Sequence, residues 1–99
     1  MLRSFKQVEI AVREAGGFGH ADIGVPLMRR AFGQGGPLCD GTRLAAESDA
    51  LANLFAGAIG SYKNPHSHRT VDIQDAGEAQ EQVLLASHLL SIVDSKRRR

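Results

Sequence analysis

Apolar residues recur along most of this chain at intervals of three and four, the period of helices buried on one face. Residues 2–15 carry Leu2, Phe5, Val8, Ala11, Val12 and Ala15 at that spacing, with Lys6, Glu9, Arg13 and Glu14 expected on the outer surface. Gly16-Gly17 predicts the stop, because glycine accepts the left-handed conformation common just past a helix end. Residues 25–32 predict a short second helix, with Pro26 in its first turn and Leu27, Met28, Ala31 and Phe32 as its apolar side. A longer helix is expected from about 44 to 62. Thr42 or Ser48 would cap it, and Leu51, Leu54, Phe55, Ala58, Ile59 and Tyr62 would face inward. Gly57 and Gly60 would mark close packing there. A last helix is expected over about 75–94, with Asp75 and Glu78 as a capping pair. Its stripe of Ala76, Ala79, Val83, Leu84, Ala86, Leu89, Leu90 and Val93 is widened by Leu85 and Ile92. The connector over 69–75 alternates Val71 and Ile73 with polar residues but is too short for a strand assignment.

The pattern predicts an all-α fold, a compact helical bundle with two long antiparallel helices at about 44–62 and 75–94. Residues 1–95 form one domain in this reading, and 96–99 form a basic tail. At 99 residues there is room for one domain. A fold of this size buries a limited share of its surface, so a partner subunit would help to stabilise it. The formal net charge is only +1. The charge distribution is uneven, however, with basic groups at 63–69 and at the C-terminal Lys96, Arg97, Arg98 and Arg99.

The lone Cys39 excludes an internal disulfide. That fits a reducing cytoplasm. Cys39 is expected to be a free thiol without a further role. No apolar run reaches the roughly 20 residues that span a bilayer, and Lys6, Glu9 and Arg13 interrupt any signal-peptide-like stretch. The expectation is a cytoplasmic protein with no membrane contact. His20, Asp22 and His88 are expected in ordinary surface or interhelical roles. The segment GQGGPLCDGTR over 33–43 lacks the Gly-Lys-Ser/Thr ending of a phosphate loop and is expected to be a surface turn.

The densest chemistry lies in 53–69, NLFAGAIGSYKNPHSHR. Asn64-Pro65 should end or kink the third helix, because proline biases the preceding residue away from the helical region. Lys63, Asn64, His66, His68 and Arg69 then cluster at a helix end. Histidine suits proton transfer near neutral pH. Lysine or arginine stabilises developing negative charge on a phosphoryl group. An RNA substrate supplies its own 2′-hydroxyl nucleophile, so this chemistry requires no metal or other cofactor. His66 and His68 lack the third and fourth ligands of a zinc site unless Cys39, His20, Asp72 or Asp75 joined them. Ser67 beside His68 lacks a nucleophile elbow. A capped helix end, with Asn64 satisfying backbone groups and His68 bonded across the bundle, explains the same residues without catalysis.

FAGAIGSYKNPHSHR, together with LMRRAFGQGGPL and LLASHLLSIVD, closely resembles the C-terminal domain of the uncharacterised bacterial and phage family labelled Ymh, over roughly 7–94. Through this signature the chain is similar to the HEPN superfamily of small, often dimeric helical bundles. The resemblance implies a place in defence systems, toxin–antitoxin pairs or RNA processing. It also implies a metal-independent endoribonuclease with an Arg-x4-6-His motif, in which a polar residue often follows the arginine. Lys63 stands at the arginine position, Asn64 at the polar position and His68 at the histidine position. The lysine keeps the charge and loses the bidentate grip of a guanidinium. On this reading His68, Lys63 and Asn64 are catalytic, while Arg69 and His66 bind substrate. The implied partners are RNA, a second copy of the chain in a homodimer, and a protein partner or antitoxin. Other members of the superfamily resemble noncatalytic modules, so a dimerisation or protein-interaction domain is the alternative.

Overall fold

A computed structural model of the chain describes residues 4–42, 44–63 and 76–97. Four α-helices follow one another among these residues: α1 (Phe5–Gly16), α2 (Gly24–Phe32), α3 (Ala45–Ala58) and α4 (Ala76–Arg97). A π-helical turn, Ile59–Lys63, continues α3. No strand occurs among the described residues. The all-α expectation is met, and the helix positions agree with the periodicity to within a few residues.

The boundaries of α1 have a local cause. Ser4 caps α1: its hydroxyl accepts from the Gln7 N–H at 3.3 Å, and the Gln7 side chain accepts from the Ser4 N–H at 2.9 Å. This reciprocal box satisfies two donors that the first turn would otherwise leave open. It also starts the helix at Phe5, later than the apolar pattern suggested. Gly17 closes α1 at φ 72°, as the Gly-Gly pair predicted. The α3 start differs from expectation. Leu44 is the N-cap and makes no side-chain bond. The Asp40 carboxyl takes both the N–H and the hydroxyl of Thr42, at 2.9 and 2.6 Å. Ser48 lies inside the helix, buried, and accepts from the Cys39 thiol at 3.4 Å. Cys39 is free of any disulfide but does have this role, tying the 33–42 segment to α3. The expected caps of α4 lie outside the described side chains, as do Val71 and Ile73. The helix itself runs on through Lys96 and Arg97, the first two residues of the basic run.

The core gathers Phe5, Val8 and Val12 of α1, and Leu27, Met28, Ala31 and Phe32 of α2. It adds Ala52, Phe55 and Ala56 of α3, Ile59, and Ala86, Leu89, Leu90 and Val93 of α4. Phe32 and Phe55, both fully buried, stack with ring centroids 4.0 Å apart. Of the positions expected inward, Leu51, Phe55, Ala58, Ile59 and Tyr62 meet the core. Ser48, Ala52 and Ala56 face inward, and Leu54 remains 43% exposed. Small side chains at 52 and 56 let α2 come close, and Phe55 then fills the volume beside them. α2 packs chiefly on α3, while α4 packs chiefly on α1. The Arg97 guanidinium reaches the Glu14 carboxyl and the Ala11 carbonyl, each at 3.5 Å, which fixes the end of α4 against α1. On α4, Leu85 and Ile92 lean on the core whereas Leu84 stays 64% exposed.

Glycines in the 33–42 turn have a structural purpose. The Gly33 N–H donates to the Arg29 carbonyl, and the Leu38 N–H donates to the Ala31 carbonyl, both at 2.9 Å, closing the open end of α2. A Cβ on Gly36 would strike the carbonyl oxygens of Arg30 and Ala31. The segment is a surface turn capping a helix, as expected, with Leu38 driven into the core.

Two alanine substitutions on α3 test which of its residues meet the core. Phe55→Ala should cost about 3–5 kcal/mol through a lost aromatic and a cavity, a large part of the 5–15 kcal/mol typical of a domain. Leu54→Ala should stay within about 0.5 kcal/mol. Urea unfolding followed by circular dichroism measures both, and comparable losses would contradict the orientation of α3.

Candidate functional site

The candidate cluster begins where α3 changes its winding. At Ile59 the backbone widens into a π turn, a feature often found at functional sites and one that shifts the register of everything after it. Ile59 is fully buried and anchors the start of the turn. Tyr62 is half-buried and stacks on Phe5 of α1, with centroids 5.0 Å apart and planes 20° apart. Gly60 faces Val25 of α2: a Cβ there would lie 3.3 Å from the Val25 Cγ2 methyl. The close packing expected at Gly60 is therefore present. At Gly57 it is not, since that residue is exposed with open space around its Cα. Lys63 is the last residue of the π turn. Asn64, His66, His68 and Arg69, together with Pro65, lie outside the described residues. Of the predicted site residues, the structure places only the backbone of Lys63, at the exit of this turn.

One polar residue that the sequence reading set on the surface is in the core. Glu9 is 4% exposed, and its carboxyl accepts from the Gly24 N–H at 2.8 Å. It supplies from α1 the N-terminal cap that Ile23 cannot give α2. The signal was present, since Phe5, Val8, Glu9 and Val12 follow the i, i+3, i+4, i+7 pattern of one helix face. A carboxyl within that stripe needs a partner, and the first turn of α2 provides one. Glu9 thereby joins α1 and α2 beside the two helices' contacts with the π turn.

Other candidate groups have ordinary surroundings. Asp22 accepts from the Gly19 N–H at 3.2 Å and pairs with Arg30 at 2.6 Å. Arg30 also sits over the Phe18 ring, 5.1 Å from its centroid. His20 and His88 are exposed. An open depression of about 380 Å³ between α2 and α3 is lined by Arg29, Gly33, Asp49, Ala52 and Asn53. There the Arg29 guanidinium donates to the Asn53 carbonyl oxygen at 2.9 Å. Its two charged side chains have opposite sign, which gives it no preference for an anion. Among the described residues, no three His, Cys, Asp or Glu side chains gather as metal ligands. No helix among them is long and apolar enough to cross a membrane.

The fold defines a small all-α domain with a basic, histidine-containing segment following a π-terminated helix. A family model described as "Protein of unknown function (Hypoth_ymh)" matches residues 1–93, and the chain belongs to that family. No curated protein and no solved structure matches it.

Glu9 tests this account of the α1–α2 junction. Glu9→Ala should lower stability by about 1–3 kcal/mol, because the buried Gly24 N–H loses its acceptor. Glu9→Gln, which keeps an acceptor, should lose less. Urea midpoints of the two variants decide it, and equal losses would refute the capping role.

Proposed function

We propose that this chain is a HEPN-like, RNA-binding domain that cleaves RNA without a metal, in the setting of phage defence or a toxin–antitoxin pair. The observation that carries this reading is the combination of Lys63 at the exit of the π turn with Asn64, His66, His68 and Arg69 directly after it in the sequence. Membership of the Hypoth_Ymh family is consistent with it.

In the reaction the substrate's 2′-oxygen attacks the adjacent phosphorus. The new 2′-O–P bond forms as the P–O5′ bond breaks, leaving a 2′,3′-cyclic phosphate and a free 5′-hydroxyl. His68 moves protons as general acid/base, with the 2′-hydroxyl losing one and the departing 5′-oxygen gaining one. Lys63 and Arg69 stabilise the charge on the non-bridging oxygens. Asn64 orients the phosphate or the imidazole, and His66 adds to substrate binding. In a homodimer two such segments would face one another and form a shared cleft of doubled positive charge. Lys96 to Arg99 would add salt-sensitive attraction to nucleic acid, as general phosphate contacts do.

A second reading rests on exposed Leu84, 64% accessible on α4. Such a residue suits a noncatalytic dimerisation or protein-interaction domain.

Cleavage of a mixed-sequence labelled RNA in EDTA separates the two. Wild type should yield cyclic-phosphate ends. His68→Ala should lose about 10²-fold or more of the rate, as expected on removing a general acid–base group, while keeping its helical content and oligomeric state. Lys63→Arg should cleave faster, because it restores the bidentate grip. Absence of wild-type cleavage across pH and salt, with an intact fold, would leave the interaction domain as the function.

A further inference from the structure

We infer that the π turn is a positioning clamp, in which Gly60 against Val25 and Tyr62 against Phe5 set the direction in which the chain leaves α3 toward residues 63–69. This rests on the proposed RNA site only for its functional consequence; the clamp itself is read from the described helices. A π turn carries an extra residue in its hydrogen-bonded ring, so it is held only where the surroundings favour it over the α form. Here it is gripped from two sides. α2 presents the Val25 methyl to Gly60 so closely that a Cβ would lie 3.3 Å away. α1 presents the Phe5 ring to Tyr62, with centroids 5.0 Å apart. Between them Ile59 is fully buried. Ser61, on the same turn, is exposed and takes no part in the grip. Val25 is β-branched, with a restricted χ1 that limits how far its methyl can swing aside. A side chain at residue 60 therefore displaces the turn, and with it the start of the basic cluster.

Glycine at 60 is costly for a helix, and alanine would favour the α form. Gly60→Ala should therefore preserve or raise the melting temperature while misdirecting Lys63 and the residues after it. Gly60 and Tyr62 are positioning residues, acting through backbone direction rather than on substrate.

Tyr62 is the chain's sole tyrosine, so 3-fluorotyrosine labelling gives a single fluorine reporter within the clamp. The experiment compares wild type, Gly60→Ala, Phe5→Leu and the double variant Val25→Ala/Gly60→Ala in the full chain. It reads the fluorine resonance, the backbone amide signals of residues 63–69, and affinity for an uncleavable 2′-O-methyl RNA oligonucleotide. Gly60→Ala should move the fluorine and amide signals without losing melting temperature, and should weaken RNA binding about tenfold, in keeping with the sensitivity of sites to displacements on the ångström scale. The double variant should return all three toward wild type. Phe5→Leu should move the amide signals from the other side of the clamp, which keeps the test open should Gly60→Ala not fold. Unmoved amide signals in the variants that fold, moved signals with unchanged RNA affinity, or failure of Val25→Ala to restore them would each overturn the clamp. If wild type does not bind RNA, the proposed function falls, and the fluorine and amide signals alone decide the clamp.

Discussion

The stacking of Phe32 on Phe55 is the contact on which the rest of this small fold depends. Both rings are fully buried, and their centroids lie 4.0 Å apart. Both lie toward the C-terminal ends of their helices, Phe32 as the last residue of α2 and Phe55 in the third turn of α3. Locking them together turns the glycine-rich 33–42 segment back sharply. The segment is held by contacts of its own: a Gly36 without a Cβ, a Leu38 N–H bonded to the Ala31 carbonyl, and a Cys39 thiol reaching Ser48. The glycine-rich loop that superficially suggests phosphate binding instead closes the end of α2 and returns the chain to α3.

α1 and α4 then complete the core from the other side. α1 contributes more than apolar area. Its Glu9 carboxyl crosses to the first turn of α2, and its Phe5 ring holds Tyr62. The two residues are four apart, one helical turn, so a single face of α1 grips both the start of α2 and the end of α3. α4 is held to α1 at its far end by Arg97. That bond gives part of the basic run a structural occupation. An arginine in the last turn also faces the negative end of its own helix dipole favourably.

Helix identity and extent were legible because the chain's apolar period is strong and Gly17 punctuates it. Orientation was less legible. Counting large apolar residues placed Leu54 inward, but the contact with α2 favours the small residues Ala52 and Ala56, and a period cannot weigh volume against proximity. The Ser4 capping box was hidden by Leu2, which extends the apolar pattern past the true start. Glu9 was assigned to the surface by its charge, although its spacing from Phe5, Val8 and Val12 placed it in the buried stripe. The π turn had one visible cue, a glycine where the helix should have been strongest. For the candidate site the structure adds one thing, that Lys63 ends a turn braced by α1 and α2.

That bracing bears on how the domain divides stability from activity. Gly60 weakens the helix it belongs to, and the π turn abandons α-helical geometry just before the basic cluster. A sequence selected only for a rigid bundle would carry alanine at 60 and continue α3 unbroken toward Pro65. Here the helix is instead interrupted where two neighbouring helices can hold an otherwise unfavourable winding. Stabilising contacts from Phe5, Val25 and Ile59 offset a local backbone cost. Gly57 carries the same helix cost with open space around it, so the contacts from α1 and α2 are what set the π-turn end of α3 apart from the rest of the helix.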